Sequence, residues 1–345
     1  METVLMIGVI LAVVAFNVTG AFHDAAEITA PGVVTQAVRP VTALGLFAAL
    51  VFVGPFLAGT AVADAIASFV DLGSLDAGDA LLIVLAGVAG AAVWNVITWL
   101  LSLPASSTHG LVGGVVGVTL VAADPGAVVW GVSSLGEGEL EGVTRIIVAL
   151  LISPVLGLVL GAVVMRLGSF AMRWASRAAH RPLRRLQLAG TAVLAFAHGA
   201  NDAQKGIGII TLALVLGGRL PTFSVPTWVV ALSAAALVVG GVLGGWGIAR
   251  TLGLGIYRLE PLHGFTAQGS AAAIIYGAAL VGGPVSTTQV VGSTITGVGM
   301  GERARAVKWD TSKSMAIVWI VTMPAAAAAG IVIWLALSAI ASPFG

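Results

Sequence analysis

The sequence predicts an all-α polytopic membrane protein of about ten transmembrane spans, or twelve helices if re-entrant hairpins are counted, built as two repeats of inverted topology. Three observations predict this. First, 58% of the 345 residues are hydrophobic and only 9% are charged, against about 25% charged in soluble domains. Second, apolar runs such as "LLIVLAGVAGAAVWNVITWLLSL" from 81 and "VTMPAAAAAGIVIWLALSAI" from 321 reach the roughly 20 residues that a membrane helix needs. Third, polar motifs recur at a nearly constant offset along the chain.

Taken in order, the apolar runs place spans near 3–36, 41–69, 80–102, 104–122 and 143–165, then near 187–216, 227–249, 264–282, 284–300 and 314–340. The N-terminal run lacks a basic n-region and a small-residue cleavage site, so it reads as a retained first span. Arg166, Arg173, Arg177, Arg181, Arg184 and Arg185 crowd the middle of the chain. By the positive-inside rule that segment is cytoplasmic. Arg250 and Arg258, then Arg303, Arg305, Lys308 and Lys313, mark two further loops on the same side, whereas the acidic segments 71–79 and 124–142 mark the outside. The domains are therefore a first repeat over 1–165, a basic cytoplasmic loop over 166–186 and a second repeat over 187–345. Five spans per repeat invert the second half relative to the first and put both termini outside. The spans 104–122 and 284–300 are short, and crossing and re-entry both stay open for them. The chain has no cysteine, which excludes thiol catalysis, disulfides and thiolate metal sites, and the composition gives no sign of a nucleic-acid partner.

"PASSTHGLVGGVVGV" begins at Pro104 and "PVSTTQVVGSTITGV" at Pro284, 180 positions later. "FHDAAE" at 22–27 lies over "ANDAQK" at 200–205, with Asp24 and Asp202 separated by 178. Paired polar breaks in two inverted halves are the signature of a secondary transporter, whose substrate lies between the repeats near the membrane midplane. Ser106, Ser107 and Thr108, and Ser286, Thr287 and Thr288, offer uncharged donors. If each run opens a helix, free amides and the positive dipole end add to them, and an oxyanion is the natural guest. The competing reading is that such hydroxyls bond back to their own helix or join neighbouring helices.

Asp24 and Asp202 are expensive in a membrane, at about 2.5–3.5 kcal/mol each on insertion scales. They point to cation coupling, with a structural salt bridge as the alternative. Coupling also answers an energetic need: moving a dianion inward at 100 mV costs about 4.6 kcal/mol, which cotransported cations must offset.

These segments, with "HGANDAQKGIGI", "WNVITWLLSLPASSTHGLVGG" and "GGPVSTTQVVGSTITGVG", resemble the paired signatures of the inorganic phosphate transporter (PiT) family from about residue 16 to 330, and most closely its bacterial low-affinity, proton-linked branch. The resemblance implies a symporter of inorganic phosphate with protons or sodium, in some members with a divalent metal as metal-phosphate. It implies no resident cofactor, a plasma-membrane location, and leaves a homodimer open. It places phosphate on Ser106, Ser107, Thr108, Ser286, Thr287, Thr288 and Asn201, and cation coupling on Asp24 and Asp202.

Departures from the family's sodium-type G-x-N-D-x-x-N pattern add His23, Glu27 and Lys205 to the coupling set. Titratable groups in place of amides favour protons over sodium. The spacing of Glu27 after Asp24 and of Lys205 after Asp202 suggests an ion pair between Glu27 and Lys205 across the repeats, with a water-facing Glu27 as the alternative. His109 and Gln289 are read as substrate contacts or loop supports, Asn95 as a helix-to-helix hydrogen bonder and His198 as a supporting group. A sulfate permease on the same fold and, more remotely, a lipid-phosphate enzyme are the competing functions. Carboxylate acceptors favour phosphate over sulfate, which has no proton to give, and the mid-span motifs lack the arginines of a phosphate-cleaving site.

Overall fold

The computed structural model describes residues 1–174, 180–244 and 256–341. Among these the regular structure is helical, with no strand beyond an isolated bridge between Val70 and Val128. Arg177 and Arg250, and the end of the 227–249 span, lie outside the described residues.

The first half contains α1 (Glu2–Val34), α2 (Pro40–Leu57), α3 (Ala61–Ala67), α4 (Ala77–Leu100), α5 (Ser107–Ala122) and α6 (Gly142–Met172). The second contains α7 (His180–Leu216), α8 (Thr227–Gly244), α9 (Pro261–Leu280), α10 (Thr287–Arg303) and α11 (Trp309–Ala341). Local chemistry explains the starts. Pro40 and Pro261 occupy first-turn positions, where a missing N–H costs nothing, and the Asp76 side chain caps α4 by accepting from the Gly78 N–H at 3.0 Å.

The expected span over 41–69 is two helices, which corrects the sequence reading. Pro55 removes a helical donor, and Gly59 takes a left-handed φ of 76° that a side chain would resist. The described residues of the central basic segment are also mostly helical, since α6 continues to Met172 and α7 spans His180–Leu216. Among the described residues six helices (α1, α2, α4, α6, α8 and α11) are long and apolar enough to cross a membrane. At 16 and 17 residues, α5 and α10 extend only ~24–26 Å at 1.5 Å per residue, short of a roughly 30 Å hydrocarbon core.

Packing partners come in matched sets. α1 lies on α8 as α7 lies on α2; α5 lies on α11 as α10 lies on α6; α1 meets α4 as α7 meets α9. Small residues permit these approaches. At the α2–α7 crossing a Cβ on Gly54 would sit 2.6 Å from the Phe196 carbonyl oxygen, and one on Gly199 would sit 2.3 Å from that of Val51. The outward faces are apolar: Leu151, Val155 and Val159 on α6 and Ile320 and Val332 on α11 are exposed, a surface suited to lipid rather than water.

Candidate functional site

The two Pro-x-Ser motifs each start a helix. Ser106 and Ser286 hold extended backbone, with φ/ψ of −97°/112° and −99°/116°. Their hydroxyls cap α5 and α10 by accepting from the N–H of His109 at 3.2 Å and of Gln289 at 3.3 Å. Thr108 donates to the carbonyl of Val285 at 3.0 Å, and Thr288 donates to the carbonyl of Ala105, also at 3.0 Å. These reciprocal bonds tie the two helix starts together. The amides of Ser107, Thr108, Thr287 and Thr288, in the first turns, have no intrahelical acceptor, so two positive dipole ends converge on one place.

Beside them α1 and α7 contribute a chain of charged and polar groups. Lys205 Nζ donates to Asp202 Oδ2 at 2.6 Å, i to i−3 on α7. Thr287 donates to Asp202 Oδ1 at 3.1 Å, and His198 Nδ1 lies 2.9 Å from Thr287 Oγ1. Thr287 has a single hydroxyl hydrogen, already given to the carboxylate, so His198 Nδ1 carries the proton and donates. When unprotonated, Nε2 is an acceptor, and it faces Asp24 Oδ2 at 4.0 Å. Neither atom has a hydrogen-bond partner. Two buried acceptors facing each other leave room for a proton or a cation. Asp24, His198 and Asp202 each offer a ligand atom, all within 4.8 Å of one another.

Glu27 is fully buried beside the Thr288 hydroxyl, but that hydroxyl donates to the Ala105 carbonyl, and neither Glu27 carboxylate oxygen meets hydrogen-bond geometry with a partner. The expected Glu27–Lys205 pair is not formed, because the lysine chain folds back one turn onto Asp202 of its own helix. Pro31, which has no N–H, also leaves the Glu27 carbonyl without its helical donor. Among the described residues Lys205 is the one buried Lys or Arg, set against three buried carboxylates. Fully ionised, the centre would hold two uncompensated negative charges, a costly state in a low dielectric.

The other predicted residues surround this centre. Asn201 donates through Nδ2 to the Gly283 carbonyl at 3.0 Å and keeps Oδ1 free. His23 Nε2 meets the Asn95 carbonyl at 3.1 Å, and Asn95 Nδ2 donates to Thr19 Oγ1 at 3.4 Å, so both serve the α1–α4 contact. His109 Nδ1 turns back onto Ser106 Oγ at 2.8 Å and supports the helix start, whereas the buried Gln289 keeps Oε1 unpartnered. Ser107 is half-buried against Gly20, and no hydrogen bond engages its hydroxyl.

Sequence reasoning undervalued His198, which stands between both aspartates; its i,i+4 spacing to Asp202 was the available signal. It also missed Gln204, whose Oε1 accepts from the amides of Val62 and Ala63 at 2.9 and 3.1 Å and caps α3 from another helix. No local pattern announces a cap supplied by a residue so distant in the chain.

The chain is 36% identical over 340 residues to a probable low-affinity inorganic phosphate transporter of Bacillus subtilis, covering 98% of each chain. It is 37% identical over 334 residues to a protein of the same description from Mycobacterium tuberculosis, covering 96% of this chain and 77% of that one. A solved structure titled "The sodium-dependent phosphate transporter" shares the fold, with a TM-score of 0.85 at 21% identity over 98% of this chain and 100% of the other. The relatives are transporters, not enzymes. A family model described as "Phosphate transporter family" matches residues 20–330, and the chain belongs to that family.

Proposed function

We propose that the chain is a secondary active importer of inorganic phosphate across the plasma membrane, working by cation symport with protons favoured over sodium. Phosphate sits at the joined starts of α5 and α10, held by the first-turn amides, the Ser107 hydroxyl and the hydroxyl hydrogen left on Ser286, joined by that of Ser106 when His109 Nδ1 carries the ring proton and donates to Ser106 Oγ. Thr108 and Thr288 hold the two helix starts rather than the substrate. Asn201 fixes the connection before α10. The two halves act as inverted repeats, a reading supported by the reciprocal threonine bonds and the matched helix packing.

One observation carries the symport: in the buried centre that reaches the start of α10 through the Thr287–Asp202 bond, Asp24 Oδ2 and both Glu27 oxygens have no hydrogen-bond partner. An anion and unneutralised carboxylates exclude one another in a low dielectric, so phosphate binding requires cations or protons on Asp24 and Glu27. Carboxylate acceptors also favour a phosphate that keeps a proton over sulfate.

The test is radiolabelled phosphate uptake into proteoliposomes under separately imposed proton and sodium gradients, with sulfate and divalent metal varied. A proton gradient is expected to drive uptake. Uptake indifferent to both gradients would refute symport, a sodium-only response would replace the proton, and full competition by sulfate would reassign the substrate.

A further inference from the structure

We infer that Lys205 is a built-in counter-ion that takes the place of one cotransported cation, so that only the Asp24 side of the centre is loaded and emptied in each cycle. This rests on the symport reading above.

The repeat alignment sets Asp202 and Lys205 against Asp24 and Glu27. On α7 the acid has a positive charge attached to its own helix. Lys205 Nζ stands 2.6 Å from Asp202 Oδ2, with both side chains buried at 1% and 3% exposure. That charge cannot leave with the substrate. On α1 the corresponding position carries another carboxylate, and both Glu27 oxygens and Asp24 Oδ2 have no hydrogen-bond partner. One half-site is thus neutralised internally, and the other must draw its compensation from solution.

The lysine also sets the state of the shared chain between the halves. An Asp202 held by Lys205 is a carboxylate that only accepts, so Thr287 donates to it and His198 donates to Thr287. The free Nε2 lone pair is thereby turned towards Asp24. A merely structural ion pair would hold α7 together without changing how many cations accompany each phosphate.

That difference is measurable. The number of cations per phosphate is read from the reversal potential of proteoliposome uptake for the unmodified chain, Lys205→Gln and Lys205→Arg. Lys205→Gln is expected to carry one more cation per phosphate than the unmodified chain. Lys205→Arg, which keeps the charge, is expected to keep the original ratio whatever its rate. Transport by Lys205→Gln at the original ratio overturns the proposal. If folded Lys205→Gln transports too slowly, equilibrium binding of radiolabelled sodium, with proton uptake followed in parallel, replaces the flux measurement. One additional bound cation per chain supports the proposal, and an unchanged count overturns it. Indifference of the unmodified chain to both gradients instead defeats the symport reading, so the two failures are distinct.

Discussion

Asp24 Oδ2 and His198 Nε2 face each other at 4.0 Å in the buried centre, and neither has a hydrogen-bond partner. As two acceptors they repel until a proton or cation lies between them. Asp24→Asn replaces a charged acceptor with a neutral one and removes a charge-assisted contact worth about 1.5–3 kcal/mol. The cation concentration for half-maximal uptake should therefore rise roughly 10- to 100-fold. Uptake measured against cation concentration checks this, and an unchanged half-saturation would place the coupling cation elsewhere.

The reciprocal bonds of Thr108 and Thr288 predict paired behaviour. Thr108→Val and Thr288→Val each keep the side-chain shape but strand a buried carbonyl, at about 1–3 kcal/mol. Both variants should lower the unfolding midpoint in detergent by similar amounts, because each removes one of two equivalent bonds between the helix starts. A large effect from one and none from the other would show that the two helix starts are held differently.

Much of this centre was legible because a membrane makes polarity conspicuous. Asp24, Asp202 and the proline-led hydroxyl runs stand out in apolar surroundings, and their repetition pairs them across the two halves. Spacing, however, assigns a residue to a helix face and not to a contact. Glu27 and Lys205 occupy matched positions, yet the flexible lysine reaches Asp202 on its own helix. The hydroxyls were readable as helix starts, but not that Thr108 and Thr288 are committed to opposing carbonyls. The break at Ala58–Thr60 had a local signal in Pro55 and Gly59, overridden by the apolarity of 41–69. The cap that completes α3 comes from Gln204, far along the chain, where no short-range pattern reaches.

That cap is separately testable. Gln204→Leu leaves the amides of Val62 and Ala63 without an acceptor, and loss of a helix cap costs about 0.5–2 kcal/mol. Because α3 packs against α7, the variant should show faster amide exchange in Ala61–Ala67 than in α4. Equal protection in the two helices would mean that packing, not the cap, holds α3.

The pair formed by Asp202 and Lys205 predicts an asymmetry between single and double variants. Breaking a buried ion pair strands a charge, at about 3–5 kcal/mol, whereas replacing both members with neutral groups is often close to neutral. Lys205→Met leaves the Asp202 carboxylate without its cation, with Thr287 as its remaining hydrogen-bond donor. Asp202→Asn combined with Lys205→Met removes the stranded charge and retains an oxygen that accepts from Thr287. The single variant should therefore lower the unfolding midpoint more than the double variant does. A double-mutant cycle read by thermal unfolding in detergent should return a coupling of at least about 1 kcal/mol, in the range found for contacting residues. A double variant as unstable as the sum of the two singles would mean that Asp202 and Lys205 do not act as a unit, and that a mobile cation shares the carboxylate.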